Sequence, residues 1–454
     1  MEQVDILVVG AATAGSYFAR KIAEAGHSVL VIEKLTKESL GRRLDIFHVA
    51  KADFARFELP LPEKNDDLAF EFSGGRTFSA FDRYPKNTPA TVVGMHMYRY
   101  IARLNNWARE AGAVFVYGAA FLDFLYENGR IIGAVYEQNG ERHEVYAKLV
   151  ADCSGIPSVA RRNLPVGYGV ENFAISNTEQ FYVTLRYVVY HDPMDYVKST
   201  RGWTYYKTWE APEGSADSAI LGVGANYSYD EGEKVFAAFE RAVKLPRYTV
   251  KRIERGTTPY RRPPYSFVAD GFLVSGDAAC LTKPSAGEGV TASMVQLEIA
   301  AEVVNRLLDE GGYVTRARLW PINTRYVAAQ GKAFAGQLAT LIGAMSSTAE
   351  ENDFFFQHDV IFSDKTFAAL GNGEPLAFPA GELLRMAAVM AGGVFTGKLR
   401  VSTIRSLLRG MQNGSRAEAL YASYPTNESG YDAWIIRAEA FWKSCGSMAE
   451  NTVK

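Results

Sequence analysis

The chain has 454 residues but only three cysteines, Cys153, Cys280 and Cys445, and no C-x-x-C pair. That leaves no cysteine-based zinc or iron–sulfur site and no disulfide framework, and it suits a reducing compartment. No metal site is expected. No apolar run approaches the roughly 18 residues of a membrane-spanning helix. The first strand begins almost at residue 1, which leaves no place for a signal peptide, so the expected location is cytoplasmic. A net charge of −2 gives no global basic field to hold nucleic acid. Internal repeats and low-complexity tracts are absent. The length calls for two or three domains with ample core. The aromatic content of 13% fits a large apolar cavity, or simply a well-filled core.

What is present is organised around the first turn. An apolar run, Val4–Val9, leads through Gly10-Ala-Ala-Thr-Ala-Gly15 into a helix over 16–25, and a second apolar run, 28–32, ends in Glu33-Lys34. In such a strand–turn–helix–strand unit, amides at the helix start face a pyrophosphate and an acid at the end of the second strand accepts from ribose hydroxyls. The candidate contacts are Gly10, Ala12, Thr13, Ala14, Gly15, Glu33 and Lys34. Ala12 replaces the middle glycine of G-x-G-x-x-G, the smallest possible departure. An ordinary βα unit would also place small residues here, but the terminal acid favours the nucleotide.

Further on, 39–48 reads as a loop returning toward the nucleotide, 51–57 as a short helix, and 68–92 as strands joined at Gly74-Gly75. A helix over 95–111 leads to a strand over 113–117. Three alternating runs, 121–126, 130–137 and 141–149, are separated by Asn128-Gly129 and Asn139-Gly140, which predicts a three-stranded antiparallel meander. The third run continues into Asp152-Cys-Ser-Gly155. Residues 166–260, with clean alternation over 180–190 and runs at 203–208 and 219–225, read as mostly antiparallel sheet. The chain then returns through Arg261-Arg-Pro-Pro-Tyr265 to a strand over 271–275 that ends in Gly276-Asp277. A long helix follows at 290–310, and helical periodicity recurs at 327–343, 379–391, 401–411 and 431–444.

The segment Gly276-Asp277 through Pro284-Ser-Ala-Gly-Glu-Gly289 puts a carboxylate at a sheet edge, where a flavin ribityl chain can donate to it. The glycine-rich turn behind it exposes helix-start amides toward the flavin pyrimidine. Together with Gly10–Gly15, Glu33, Asp152–Gly155 and Arg161, this sequence resembles the FAD-dependent group of aromatic hydroxylases and geranylgeranyl reductases over roughly residues 1–310. Within that group it looks most like the geranylgeranyl reductases. Arg261–Tyr265, Val49–Pro62 and the helical last third with Leu420-Tyr-Ala-Ser-Tyr-Pro425 carry that likeness.

The resemblance implies an α/β fold with a Rossmann-like, glutathione-reductase-type FAD-binding domain carrying a β-meander. An interleaved antiparallel-sheet substrate domain and a helical C-terminal domain complete it. The expected boundaries are 1–60, 93–165 and 262–318 for FAD, 61–92 and 166–261 for substrate, and 319–454 for the helices. FAD would meet the residues above plus Ala120, Gly276, Asp277, Pro284, Gly287, Gly289 and Val290. Implied is hydride delivery from reduced FAD to isoprenoid double bonds, with NAD(P)H or a reduced carrier protein as electron donor. No second nucleotide fingerprint marks that donor. The family's aromatic strand motif corresponds to Trp203, Tyr205 and Lys207, followed by Gly222 and Gly224, as substrate contacts; Lys207 either points outward or meets a polar substrate group.

Asp45 stands where those reductases carry a loop cysteine. It is a candidate for protonating substrate or tuning the flavin, or is an ion-pair partner of Arg42 or Arg43. His48 is a second weak candidate proton donor, or a structural histidine. Cys280 reads as a small packed residue, and Met97 replaces a flavin-contacting arginine whose part Arg99 can take. Arg385, Lys398, Arg400, Arg405 and Arg409 among apolar residues suit a peripheral membrane contact or an ordinary amphipathic helical domain. The alternatives to a reductase are an NAD(P)H- and oxygen-dependent flavin monooxygenase and a flavin electron carrier to a quinone or protein. A halogenase lacks its tryptophan-rich signature here.

Overall fold

The computed structural model describes residues 2–192, 200–203, 207–213, 215, 217–344, 347–371 and 378–446. Its strands form two eight-stranded sheets. In the first, β1 (Glu2–Val9) lies between β2 (Val29–Glu33) and β9 (Glu141–Asp152), all parallel. β6 (Val114–Tyr117) extends the β2 edge and β16 (Phe272–Val274) the β9 edge, both parallel. The short β15 (Val268–Ala269) closes that side antiparallel. β2 and β16 are buried throughout, and β1 over Ile6–Val9, as expected where helices cover both faces of a parallel sheet. The helix Thr13–Ala23 packs beside Val290–Glu310 and Met97–Glu110.

The meander is β7 (Ala119–Glu127), β8 (Arg130–Gln138) and the first half of β9. Asn128, Gly129, Asn139 and Gly140 all take positive φ, the geometry of two-residue hairpin turns matching strand twist. β9 thus begins as a meander strand and ends as a central parallel strand.

The second sheet has the order β14 (Tyr248–Pro259), β10 (Gln180–Tyr190), β13 (Ser218–Asn226), β12 (Lys207–Pro212), β11 (Thr200–Trp203), β4 (Leu68–Phe78), β5 (Lys86–His96), β3 (Ile46–Ala50). Two expectations change here. Gly74-Gly75 is no turn: β4 runs through it with a register shift between Ser73 and Gly75, because glycine in a strand admits a bulge as readily as a reversal. Residues 46–48, read as loop, belong to β3, whose alternation is too short to stand out. β3 and the end of β5 therefore pair in the second sheet, although they lie within 1–60 and 93–165.

The last third is helical, with helices Arg316–Tyr326, Lys332–Ala344, Ala349–Gln357, Asp364–Gly371, Ala380–Phe395, Val401–Ala422 and Tyr431–Cys445. Trp320, Tyr421, Tyr424, Tyr431 and Trp434 form an aromatic box against Tyr265. Tyr424 donates to the Tyr265 carbonyl at 2.7 Å and Trp320 to the Pro425 carbonyl at 2.9 Å. Leu420–Pro425 and Arg261–Tyr265 thus meet in space. Trp434→Ala, which removes a buried ring packed on three tyrosines, should lower stability by about 3–5 kcal/mol, read as an earlier urea midpoint.

Candidate active site

Three glycine-turn segments converge at the C-terminal edge of the first sheet. Gly10 has φ +106°, and a side chain on it would press the Cys153 carbonyl oxygen at 2.5 Å. A Cβ on Gly15 would overlap the Gly10 carbonyl, and one on Gly276 would lie 3.1 Å from the Ala14 methyl. The Ser275 amide donates to the Asp152 carbonyl at 2.9 Å, and Arg161 Nε to the Ala278 carbonyl at 2.8 Å. Close backbone approach, not composition, is what these glycines serve.

Glu33 is buried at the end of β2 and accepts from the amides of Ala11 and Leu35, each at 2.9 Å. It is thereby held against the first turn, where an adenosine ribose belongs. Ala12 precedes the helix as its cap residue, and Thr13 and Ala14 open it. Lys34 is exposed, and Ala120 is partly buried on β7. Asp277 lies half-buried in the short turn Gly276–Ala279, and desolvation pushes its carboxyl up to about 6 against a hydrogen bond with Thr282. A Cβ on Gly289 would sit 3.2 Å from its Oδ1. Gly287 takes φ +73° after Pro284, and Gly289 caps the helix that Val290 begins. A desolvated acid beside a helix start and two side-chain-free turns fits a flavin nucleotide.

Beyond this edge a cavity of about 460 Å³ lies between the second sheet and the loop Ala286–Thr291. Its sheet wall is mainly apolar and aromatic, with Phe181, Val183 and Leu185 of β10, Trp209 and Ala211 of β12, Ile220 of β13, and Phe70 and Phe72 of β4, while Arg76, Thr77, Thr88 and Thr258 bring polar groups to it. The rings of Trp209, Phe181 and Phe70 lie where side chains on Gly222, Gly224 and Gly94 would overlap them. Gly222 and Gly224 thus act by making room for rings. Trp209, Phe181 and Phe70 were not anticipated, although glycines inside a strand signal such close approach. Trp203 and Lys207 pair with Thr208 and Gly224 in the sheet; Tyr205 lies outside the described residues.

Asp45 does not meet Arg42 or Arg43. Its carboxylate bonds Arg252 at 2.8 Å and His96 Nδ1 at 3.1 Å, its amide donates to Glu254 at 2.7 Å, and its carbonyl accepts from Met97. Burial alone would raise the Asp45 carboxyl, but His96 and Arg252 outweigh it and hold it below its ordinary value. Asp45 is not among the residues lining the cavity, whereas its neighbours Leu44 and Ile46 are. His48 does line it. So does Asp53, on the helix Lys51–Arg56, a residue the motifs did not single out. Burial raises the Asp53 carboxyl and the Glu288 carboxylate adds to this, against Arg56 and Lys283. Arg99 is engaged at the surface by the Asp66 carbonyl at 2.7 Å. Cys280 is buried in the left-handed conformation with its thiol pushed up to about 12 by burial, a packed and unreactive group.

An FAD binding domain family model matches residues 3–207. The digeranylgeranylglycerophospholipid reductase of Sulfolobus acidocaldarius is 22% identical over 448 residues, 95% of either chain. Digeranylgeranylglycerophospholipid reductase 1 of Methanopyrus kandleri is 25% identical over 326 residues, 68% of this chain and 82% of that one. A geranylgeranyl bacteriochlorophyll reductase-like protein of Thermoplasma acidophilum shares the fold with a TM-score of 0.63 at 19% identity, over 86% of this chain and 96% of its own. A flavin-dependent brominase, TM-score 0.58 at 17% identity, shares it too.

A nucleotide cradle of three converging turns, with an FAD binding domain matched across 3–207, defines an FAD-dependent oxidoreductase. Along nearly its whole length the chain is similar to a digeranylgeranylglycerophospholipid reductase.

The raised Asp277 carboxyl has a stability consequence. A folded-state value of about 6 means the unfolded chain loses this proton first, so stability is full below about pH 4 and falls as pH rises to 6. Asp277→Asn should therefore raise the melting temperature of flavin-free protein at pH 8, not at pH 4, while weakening FAD binding measured by flavin fluorescence.

Proposed function

We propose that this protein reduces carbon–carbon double bonds of an isoprenoid, geranylgeranyl-like, or another apolar substrate. The observation that carries this is the cavity facing the loop 286–291, whose volume is in the range of ligand pockets and whose sheet wall is aromatic and aliphatic. The names of the relatives point to the same substrate class. The electron donor under this reading is NAD(P)H or a reduced carrier protein.

Bound and reduced, the flavin supplies the hydride. The chain contributes the rest. Glu33 and Asp277 would anchor the ribose and ribityl hydroxyls, the amides around Gly289 and Val290 would hold the flavin ring, and the ring-lined wall would exclude water from the alkene. Reduction also needs a proton on the second carbon as the π bond breaks. Asp53 suits that role better than Asp45. It lines the cavity, and its raised carboxyl holds a proton to higher pH. Asp45 is ionised between Arg252 and His96 and has no proton to give. After transfer, the Asp53 carboxylate takes a proton from water.

The test is anaerobic reduction of the purified flavoprotein, followed by reoxidation with a geranylgeranyl lipid or with oxygen in separate runs. Fast lipid-dependent reoxidation without oxygen is expected; reoxidation by oxygen alone with hydroxylated product would establish a monooxygenase instead. Asp53→Asn should slow the lipid-dependent step by about 10²–10⁴-fold with flavin content intact. The wild-type rate should fall as pH rises through the raised Asp53 value. Asp45→Asn should lower the melting temperature rather than the rate.

A further inference from the structure

The helix Ala380–Phe395 has an apolar face with no partner among the described residues. Of its sixteen residues only Met386 and Gly393 are buried. Leu384, Ala387, Ala388, Ala391 and Phe395 share one face at helical spacing and all are exposed, Leu384 at 72% and Phe395 at 93%. Phe395 stands at the tip of a hairpin, where the chain turns through Thr396–Arg400 into the helix Val401–Ala422. An aromatic ring at full exposure on such a tip is a poor choice for a surface that meets only water.

The charges around it are one-sided. Between residues 380 and 411 the sole acid is Glu382, which sits 3.7 Å from Lys365. Arg385 turns inward to the carbonyls of His358 and Asp359, and Arg400 to Glu351. That leaves Lys398 just past the tip, and Arg405 and Arg409 one turn apart on the next helix, all exposed. They flank Val401 and Leu408, themselves about half exposed at 49% and 47%.

We infer that this hairpin is a docking surface for an anionic lipid bilayer, with Phe395 and Leu384 entering the interface and Lys398, Arg405 and Arg409 meeting headgroup phosphates. An apolar face bordered by cations is what lies in the plane of a bilayer, and the cations select an anionic one. The inference does not depend on the reductase reading, since it concerns a face made by other residues than the cavity's.

The test is co-sedimentation of the full-length flavoprotein with vesicles of phosphatidylglycerol and phosphatidylcholine, and with vesicles of phosphatidylcholine alone. Binding to the anionic vesicles, weakened by salt, is expected. Phe395→Asp should weaken it about tenfold or more. Changing Lys398, Arg405 and Arg409 to Gln should lose about fivefold per charge and abolish the anionic preference. All four substituted positions are exposed, and flavin absorbance checks that each variant is folded. Failure to bind either vesicle, or binding indifferent to these substitutions, overturns the inference. So does a dimer in light scattering that Phe395→Asp dissociates while vesicles stay unbound, which would assign the face to a second copy.

Discussion

The structure depends on the buried end of one strand. Asp152, fully enclosed at the end of β9, accepts from the amides of Ser154 at 2.9 Å and Arg161 at 2.6 Å, while its carbonyl receives Ser275. Burial pushes its carboxyl up and the neighbouring Arg161 guanidinium down, so desolvation outweighs the compensating contacts for both. The carboxylate is held by backbone amides, and the guanidinium by the Ala278 and Glu171 carbonyls. These bonds fix where the Gly276–Asp277 segment crosses the end of β9.

From there the order passes outward through a continuous set of contacts. Arg161 donates to the Glu171 carbonyl at 2.8 Å. The Glu171 carboxylate takes Arg262 through two hydrogen bonds, at 2.9 and 2.7 Å, and the Tyr265 amide at 2.7 Å. Tyr265 is then gripped by Tyr424 and Trp434 of the helical region. The Arg-Arg-Pro-Pro-Tyr segment is therefore a coupling between the nucleotide cradle and the C-terminal helices. A bidentate arginine suits that task because its planar fork sets direction as well as distance.

The cavity wall rests on a different economy of space. Trp209, Phe181 and Phe70 can lie across the second sheet only because their strand neighbours Gly222, Gly224 and Gly94 have no side chains. Flat rings on bare backbone widen the gap to the loop 286–291 without breaking the ladder of hydrogen bonds. The same sheet carries Asp45, Arg252 and Glu254 near its β3 and β14 edges, so its polar cluster stays apart from the apolar wall.

The sequence alone determined what local chemistry can determine. The Asn-Gly pairs demanded positive φ and so wrote the meander. The unbroken apolar runs of β1 and β2 wrote a parallel sheet, and the Gly10–Gly15 and Gly276–Asp277 turns, each next to a strand end, wrote the nucleotide cradle. The helix 290–310 was legible to the residue because its apolar period is long and sharply bounded. Only the tertiary structure decided the facts that depend on distant segments. Asp45 found its partners on β14 and at His96, more than 200 and 50 residues away respectively, so no local reading could choose between a proton donor and an ion pair. Asp53 and Trp209 became cavity residues because β3, β12 and the loop 286–291 meet in space. The exposed face of 380–395 looks in sequence like any buried apolar helix, since burial is a property of what packs against a helix and not of the helix itself.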